Sequence, residues 1–112
     1  MYAKPLRDLS FLVGRELTQI CVGRYEVILN FDGNTSATIL GQFTLDDRDL
    51  GELPDAARYL FPLLGAKVES AAMVDGGHAR IEFPAARALL LVNDAANYEA
   101  YRIVAPGHDV IV

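Results

Sequence analysis

The sequence predicts a mainly β domain with one short helix. Two repeated three-stranded units should form a sandwich or barrel-like sheet with pseudo-twofold symmetry. Three observations lead there. First, the phrase Leu12 to Ile20 returns 51 residues later as Leu63 to Ala71, with Leu12 on Leu63, Gly14 on Gly65 and Leu17 on Val68. Second, after a one-residue insertion the match resumes 52 residues apart, setting Val27 on Ala79, Leu29 on Ile81 and Phe31 on Phe83. Third, both copies alternate apolar and polar residues with a period of two, the mark of a half-buried strand.

The elements follow in order. Each copy opens with a short apolar lead-in, a glycine, and three strands joined by tight turns. Gly14 and Gly65 stand at equivalent points, where positive φ or a close backbone approach is expected. "EVILNF" places Val27, Leu29 and Phe31 on one face, and "HARIEF" does the same with Ala79, Ile81 and Phe83. Asp32-Gly33-Asn34 and Asp75-Gly76-Gly77 are turn sequences that tolerate positive φ. The lead-in "DLSFLVG" reads as a single helical turn or an extended segment. Between the copies, Leu53, Ala57, Leu60, Phe61 and Leu64 follow helical spacing. Pro54 suits a first helical position, and Pro62 should end or kink the helix, which gives a helix over about 54–61. After the second copy, 93–97 reads as a loop, and "YEAYRIV" with "DVIV" reads as a hairpin around Ala105-Pro106-Gly107-His108. Tyr98 and Tyr101 should face opposite sides of a strand, one packed inside and one at the surface.

These elements imply one domain over 1–112. Repeat A covers about 9–44, a helical connection about 45–64, repeat B about 63–93 and a C-terminal hairpin about 98–112. Hydrophobic residues make up 52% of the chain, enough for a real core with apolar surface to spare. No apolar run approaches the roughly 18 residues of a membrane span, and the first residues do not read as a secretory signal. The single cysteine, Cys21, excludes an internal disulfide framework and fits a reducing cytoplasm.

A net charge of −5 and a pI near 4.8 argue against nucleic acid and against an anionic membrane surface. They leave room for a basic protein partner. Catalytic motifs are missing. The two histidines, His78 and His108, fall in predicted turns, and Cys21 falls in an apolar strand, so they read as solvated histidines and a core cysteine. Ser10, Ser36 and Ser70 are the only serines, and none sits in a nucleophile motif. No cofactor or metal is expected, and an enzyme is not the expected class. The acidic stretch is the leading candidate site: Asp46, Asp47, Asp49 and Glu52, with Asp55 beyond and Arg48 and Arg58 nearby. A calcium loop would need oxygen ligands where this stretch has Leu50. The carboxylates therefore read as a docking surface for a basic partner, or as a solvated loop with Glu52 and Asp55 favouring a helix N-terminus.

Gly14-Arg15-Glu16-Leu17, Phe31-Asp32-Gly33, Gly65-Ala66-Lys67-Val68 and Tyr98-Glu99-Ala100-Tyr101-Arg102-Ile103 together resemble a family of small bacterial domains of unknown function. The chain departs from that pattern in two places. It has Tyr101 where tryptophan is expected, and Pro84-Ala85 in place of a glycine after Phe83. The resemblance implies a compact β-rich domain with no established activity and no catalytic residue to carry over. Size and acidity are similar to those of immunity proteins, so the expected function is a non-enzymatic protein-interaction module, immunity-like or antitoxin-like. A small-molecule binding or sensing domain, with its ligand between the repeats, is the alternative. A homodimer formed through the C-terminal strand is another.

Overall fold

The computed structural model describes residues 8–93 and 99–112. It holds ten strands in two antiparallel five-stranded sheets that pack as an open sandwich. The strands are β1 (Leu17–Val22), β2 (Val27–Phe31), β3 (Thr35–Ile39), β4 (Phe43–Leu45), β5 (Arg48–Asp49), β6 (Ser70–Val74), β7 (His78–Phe83), β8 (Arg87–Leu91), β9 (Tyr101–Ala105) and β10 (His108–Ile111). Two 3-10 helices complete the described chain: η1 (Ser10–Leu12), a single turn, and η2 (Asp55–Leu63). Tyr98, one of the two tyrosines predicted to face opposite sides of a strand, and most of the predicted 93–97 loop lie outside the described residues.

The strand order is β1-β2-β3-β9-β10 in one sheet and β5-β4-β8-β7-β6 in the other. Each three-stranded repeat is present, and each is extended by a hairpin that crosses to the opposite sheet. The strand after repeat A, β4, pairs with β8 of repeat B, and the strand after repeat B, β9, pairs with β3 of repeat A. The acidic segment that reads as loop and helical connection is therefore partly hairpin: β4–β5 is the symmetry counterpart of β9–β10. Equivalent crossover bonds confirm the relation. Leu40 N–H donates to the Ala100 carbonyl at 2.9 Å, and Val92 N–H donates to the Gln42 carbonyl at 3.1 Å.

The units meet on the symmetry axis. Gly14 N–H donates to the Val68 carbonyl and Gly65 N–H to the Leu17 carbonyl, both at 2.8 Å. Leu17 N–H donates to the Ala66 carbonyl and Val68 N–H to the Arg15 carbonyl, both at 2.9 Å. Glu16 and Lys67, equivalent in the two copies, face each other at the centre of this ladder. Both lead-ins enter it through a type II turn. Val13 (φ −62, ψ 132) precedes Gly14 (φ 83), and Leu64 (φ −57, ψ 132) precedes Gly65 (φ 86). Position three of such a turn requires φ above zero, which is why both copies carry glycine there.

Between the sheets lies one apolar core, with Leu17, Leu29, Ile39, Ile81, Phe83, Leu89, Leu91, Tyr101 and Ile103 almost wholly buried. The alternation seen in sequence holds in β2, β3 and β7, each strictly alternating buried and half-buried residues. It slips in β1, where the register shifts between Leu17 and Gln19. That bulge turns Ile20 toward the core and Cys21 to the outer face, opposite Ile28. Cys21 is thus half-buried, not a core residue, with Asn30 Nδ2 3.7 Å from its sulfur.

The second helix also departs from expectation. It is 3-10, it spans Asp55–Leu63 with Pro54 as its N-cap, and it runs through Pro62. A 3-10 helix repeats every three residues, so Ala57, Leu60 and Leu63 go inward and Arg58, Phe61 and Leu64 outward. Spacing of 3.6 places Phe61 and Leu64 inside; both are 45% exposed.

Tyr101 ties the sheets together. It lies on β9, fully buried, and its hydroxyl donates to the Gly77 carbonyl in the β6–β7 turn at 2.6 Å. Burial pushes its ionisation up to about 12. A raised acid keeps its full contribution below the unfolded value near 10 and loses it as pH climbs through the folded one. Tyr101→Phe should cost about 1–2 kcal/mol by leaving the carbonyl unpaired. It should also remove the loss of stability that the parent shows between about pH 10 and pH 12, read from urea midpoints.

The tight turns supply a second test. Ala85 and Ala86 occupy φ 65 and 59, where the first copy has Gly33 and Asn34 at 72 and 56. Ala85→Gly should raise stability by up to about 1 kcal/mol. An added Cβ at Gly14 or Gly65 meets nothing within 4 Å. Gly14→Ala and Gly65→Ala should therefore each lose about 1–2 kcal/mol from backbone strain alone. Equal losses at the two positions are the signature of the symmetry.

Candidate functional site

The acidic stretch folds into the β4–β5 hairpin and the approach to η2. Asp46 and Asp47 are the two turn residues, with φ of 55 and 63. Two consecutive left-handed residues give the turn that matches strand twist, and aspartate tolerates that region better than most side chains. Asp46 is bound on three sides. Its N–H donates to the Ala88 carbonyl at 2.8 Å, its Oδ1 accepts the Ala88 N–H at 2.9 Å, and its Oδ2 accepts Arg87 Nε at 2.7 Å. The Ala88 amide first, and the Arg87 guanidinium after it, hold this carboxyl below the usual aspartate range.

Asp49 is exposed, and its Oδ1 accepts the Gly51 N–H at 2.9 Å, a side-chain turn that bends the chain out of β5. Asp47 stands exposed at the hairpin tip. Glu52 is exposed too, and its carbonyl accepts the Ala56 N–H that starts η2. The four predicted residues do not form one cluster. Asp46 and Asp49 line a groove of ≈350 Å³ between the hairpin and η2, and Glu52 lines a cleft of ≈250 Å³ beside Arg24, Tyr25 and Leu53.

The groove also holds residues that sequence reasoning left out of the site. Arg48, Arg58 and Arg87 line it together with Tyr59, Leu45, Leu50 and Pro62. The Arg58 guanidinium lies over the Tyr59 ring, 4.9 Å from its centroid, and donates to its hydroxyl at 2.9 Å. Arg48 and Arg58 were visible as cations inside the acidic run. Arg87 carried no such signal, because it reaches the site only through the β4–β8 pairing.

The remaining reactive side chains are occupied elsewhere. His78 accepts the Asn93 N–H on Nδ1 at 2.9 Å. His108 stacks on Phe11, with ring centroids 4.2 Å apart and planes 11° apart, so it is not simply a solvated turn residue. Among the described residues, no three His, Cys, Asp or Glu side chains come together in a way that could hold a metal ion. No described helix is long and apolar enough to cross a membrane.

The chain belongs to a family of unknown function (DUF6188), whose model matches residues 9–112. This agrees with the resemblance to a domain family without an assigned activity. No curated protein and no solved structure matches the chain.

The anchoring of Asp46 can be tested by pH. A depressed carboxyl stabilises the fold above its unfolded value, near 3.9, and that contribution disappears as pH falls through the folded one. Asp46 and Arg87 are 37% and 34% exposed, so solvent screens the pair. Asp46→Asn keeps the turn-forming amide and removes the charge. It should cost about 1 kcal/mol at neutral pH, with the gap to the parent closing toward about pH 2, measured as urea midpoints.

Proposed function

We propose that this domain is a non-enzymatic protein-interaction module that binds through the face made by the β4–β5 hairpin and η2. One observation carries the reading. The 3-10 period of η2 turns Phe61 and Leu64 outward, each 45% exposed, with Tyr59 40% exposed beside them. Asp47, Glu52 and Asp55 lie close by in the chain and form no ion pair among the described residues. Apolar and aromatic anchors beside unpaired charge are the usual composition of a docking face: the anchors supply affinity and the rim charges steer the approach.

In its finer form the domain covers a basic site on its partner, as an immunity or antitoxin protein does. Asp47, Glu52 and Asp55 would meet the partner's cations, and Asp49, whose Oδ1 already holds the Gly51 N–H, would add less. Asp46 would contribute less, because its charge is already held by Arg87 and Ala88.

The test is a tagged pull-down from the source lysate at low and high salt, followed by kinetics on the recovered partner. Charge reversal at Asp47, Glu52 and Asp55 should slow association by about tenfold or more and flatten its salt dependence. Phe61→Ala should act on dissociation instead. Recovery of the protein alone, or a partner that binds both variants as it binds the parent, sinks the reading.

A further inference from the structure

The pseudo-twofold axis gives the groove an internal control. Each sheet ends in a hairpin with a two-residue turn, and each hairpin lies beside a 3-10 helix, β9–β10 by η1 and β4–β5 by η2. In one half, His108, the first residue after the β9–β10 turn, stacks on Phe11 of η1. The register through β3–β9 and β4–β8 makes Leu45 equivalent to Ile103 and Arg48 to Val110, so the β4–β5 hairpin is two residues shorter on each strand and has no residue at the place of His108; the residue equivalent to Phe11, 51 positions on, is Pro62 in η2. Arg48 and Pro62 line the ≈350 Å³ groove. The same architecture is closed by two rings in one half and open in the other.

What lines the open half is cationic. Three arginines face two aspartates, in a chain whose net charge is −5. Both aspartates are engaged, Asp46 by Arg87 and the Ala88 amide, and Asp49 by the Gly51 amide. Asp46 takes only Nε of Arg87, which leaves the terminal amino groups of that guanidinium without a hydrogen bond among the described residues. Arg48 makes no hydrogen bond or ion pair among them, and Arg58 is held in place by Tyr59. A guanidinium fork matches the two oxygens of a carboxylate or phosphate, and a planar ring beside aliphatic side chains suits an apolar body.

We propose that this groove is a binding site for a small organic oxyanion, a carboxylate or phosphate carried on an apolar body. Arg48, Arg58 and the terminal amino groups of Arg87 hold the charged end, and Tyr59, Leu50 and Pro62 receive the body. The groove lies on the face of the β4–β5 hairpin and η2 and shares Tyr59 with the proposed docking surface, but it needs no protein partner, so the titration below decides it separately from the interaction reading.

The experiment is a two-dimensional NMR titration of the full chain with benzoate and with phenylphosphate at fixed ionic strength, with phenol as the uncharged control. Saturable shifts should appear at the amides of Arg48, Leu50 and Tyr59 and at the Nε–H of Arg58 and Arg87, and phenol should not produce them. The tighter of the two probes identifies which oxyanion the site prefers. Arg48→Gln and Arg58→Gln, both at exposed positions, should each weaken binding about tenfold with parent-like thermal midpoints. The proposal is overturned if neither anion gives a saturable response, or if the response survives unchanged in Arg48→Gln and Arg58→Gln.

Discussion

Four backbone hydrogen bonds on the pseudo-twofold axis, with Glu16 facing Lys67 at their centre, set the geometry of everything else. They join the lead-in of each unit to the lead-in of the other, so the first strands of the two sheets are held in a single register. Gly14 and Gly65 make this possible, since each must turn the chain at positive φ and donate its N–H across the axis within one residue. Once β1 and β6 are placed, the apolar faces of both sheets must face each other. The alternation in β2, β3 and β7 then fills the space between them. The helices follow too, because each comes immediately before one of the two type II turns.

Much of this was written in the chain. The repeated phrase shows where the two units begin, the doubled glycine shows where they turn, and alternation shows which side of each strand is wet. Three features were hidden, each for a physical reason. The period of η2 depends on hydrogen-bond spacing, and an apolar pattern such as Leu53, Ala57, Leu60, Phe61 and Leu64 suits an α-helix well enough to mask a 3-10 one. The face of Cys21 depends on a bulge, which leaves no mark on composition yet inverts every side chain beyond it. The hairpin crossover is a long-range choice. Nothing local tells β4 to leave its own sheet and pair with β8.

The candidate site divides in the same way. Charge was legible, and use of charge was not. Asp46 and Asp49 looked like surface carboxylates available to a partner, and both hold their own backbone: one pins the hairpin to β8, the other bends the chain toward η2. Asp47, Glu52 and Asp55 keep their charge for solvent or for a partner. The arginine that changes the character of the groove, Arg87, sits 41 residues from the aspartate it binds. A run of like charge in a sequence is therefore best read as a set of separate roles until the fold says which members are spoken for.

The exchange of hairpins between sheets has a bearing on how the chain reaches this state. Neither sheet can be completed from one half of the sequence: β3 waits for β9, and β8 recruits a strand made long before it. Closing such distant pairs spends chain entropy before any contact repays it, which favours slow folding through a late, concerted nucleus. During synthesis, repeat A emerges as a three-stranded sheet whose last strand has an open edge, and it stays so until β9 leaves the ribosome. That edge is the point at which a nascent copy could pair with the wrong chain. The interleaving that binds the halves in the finished domain thus makes the unfinished one depend on β9, made some sixty residues after the strand it covers.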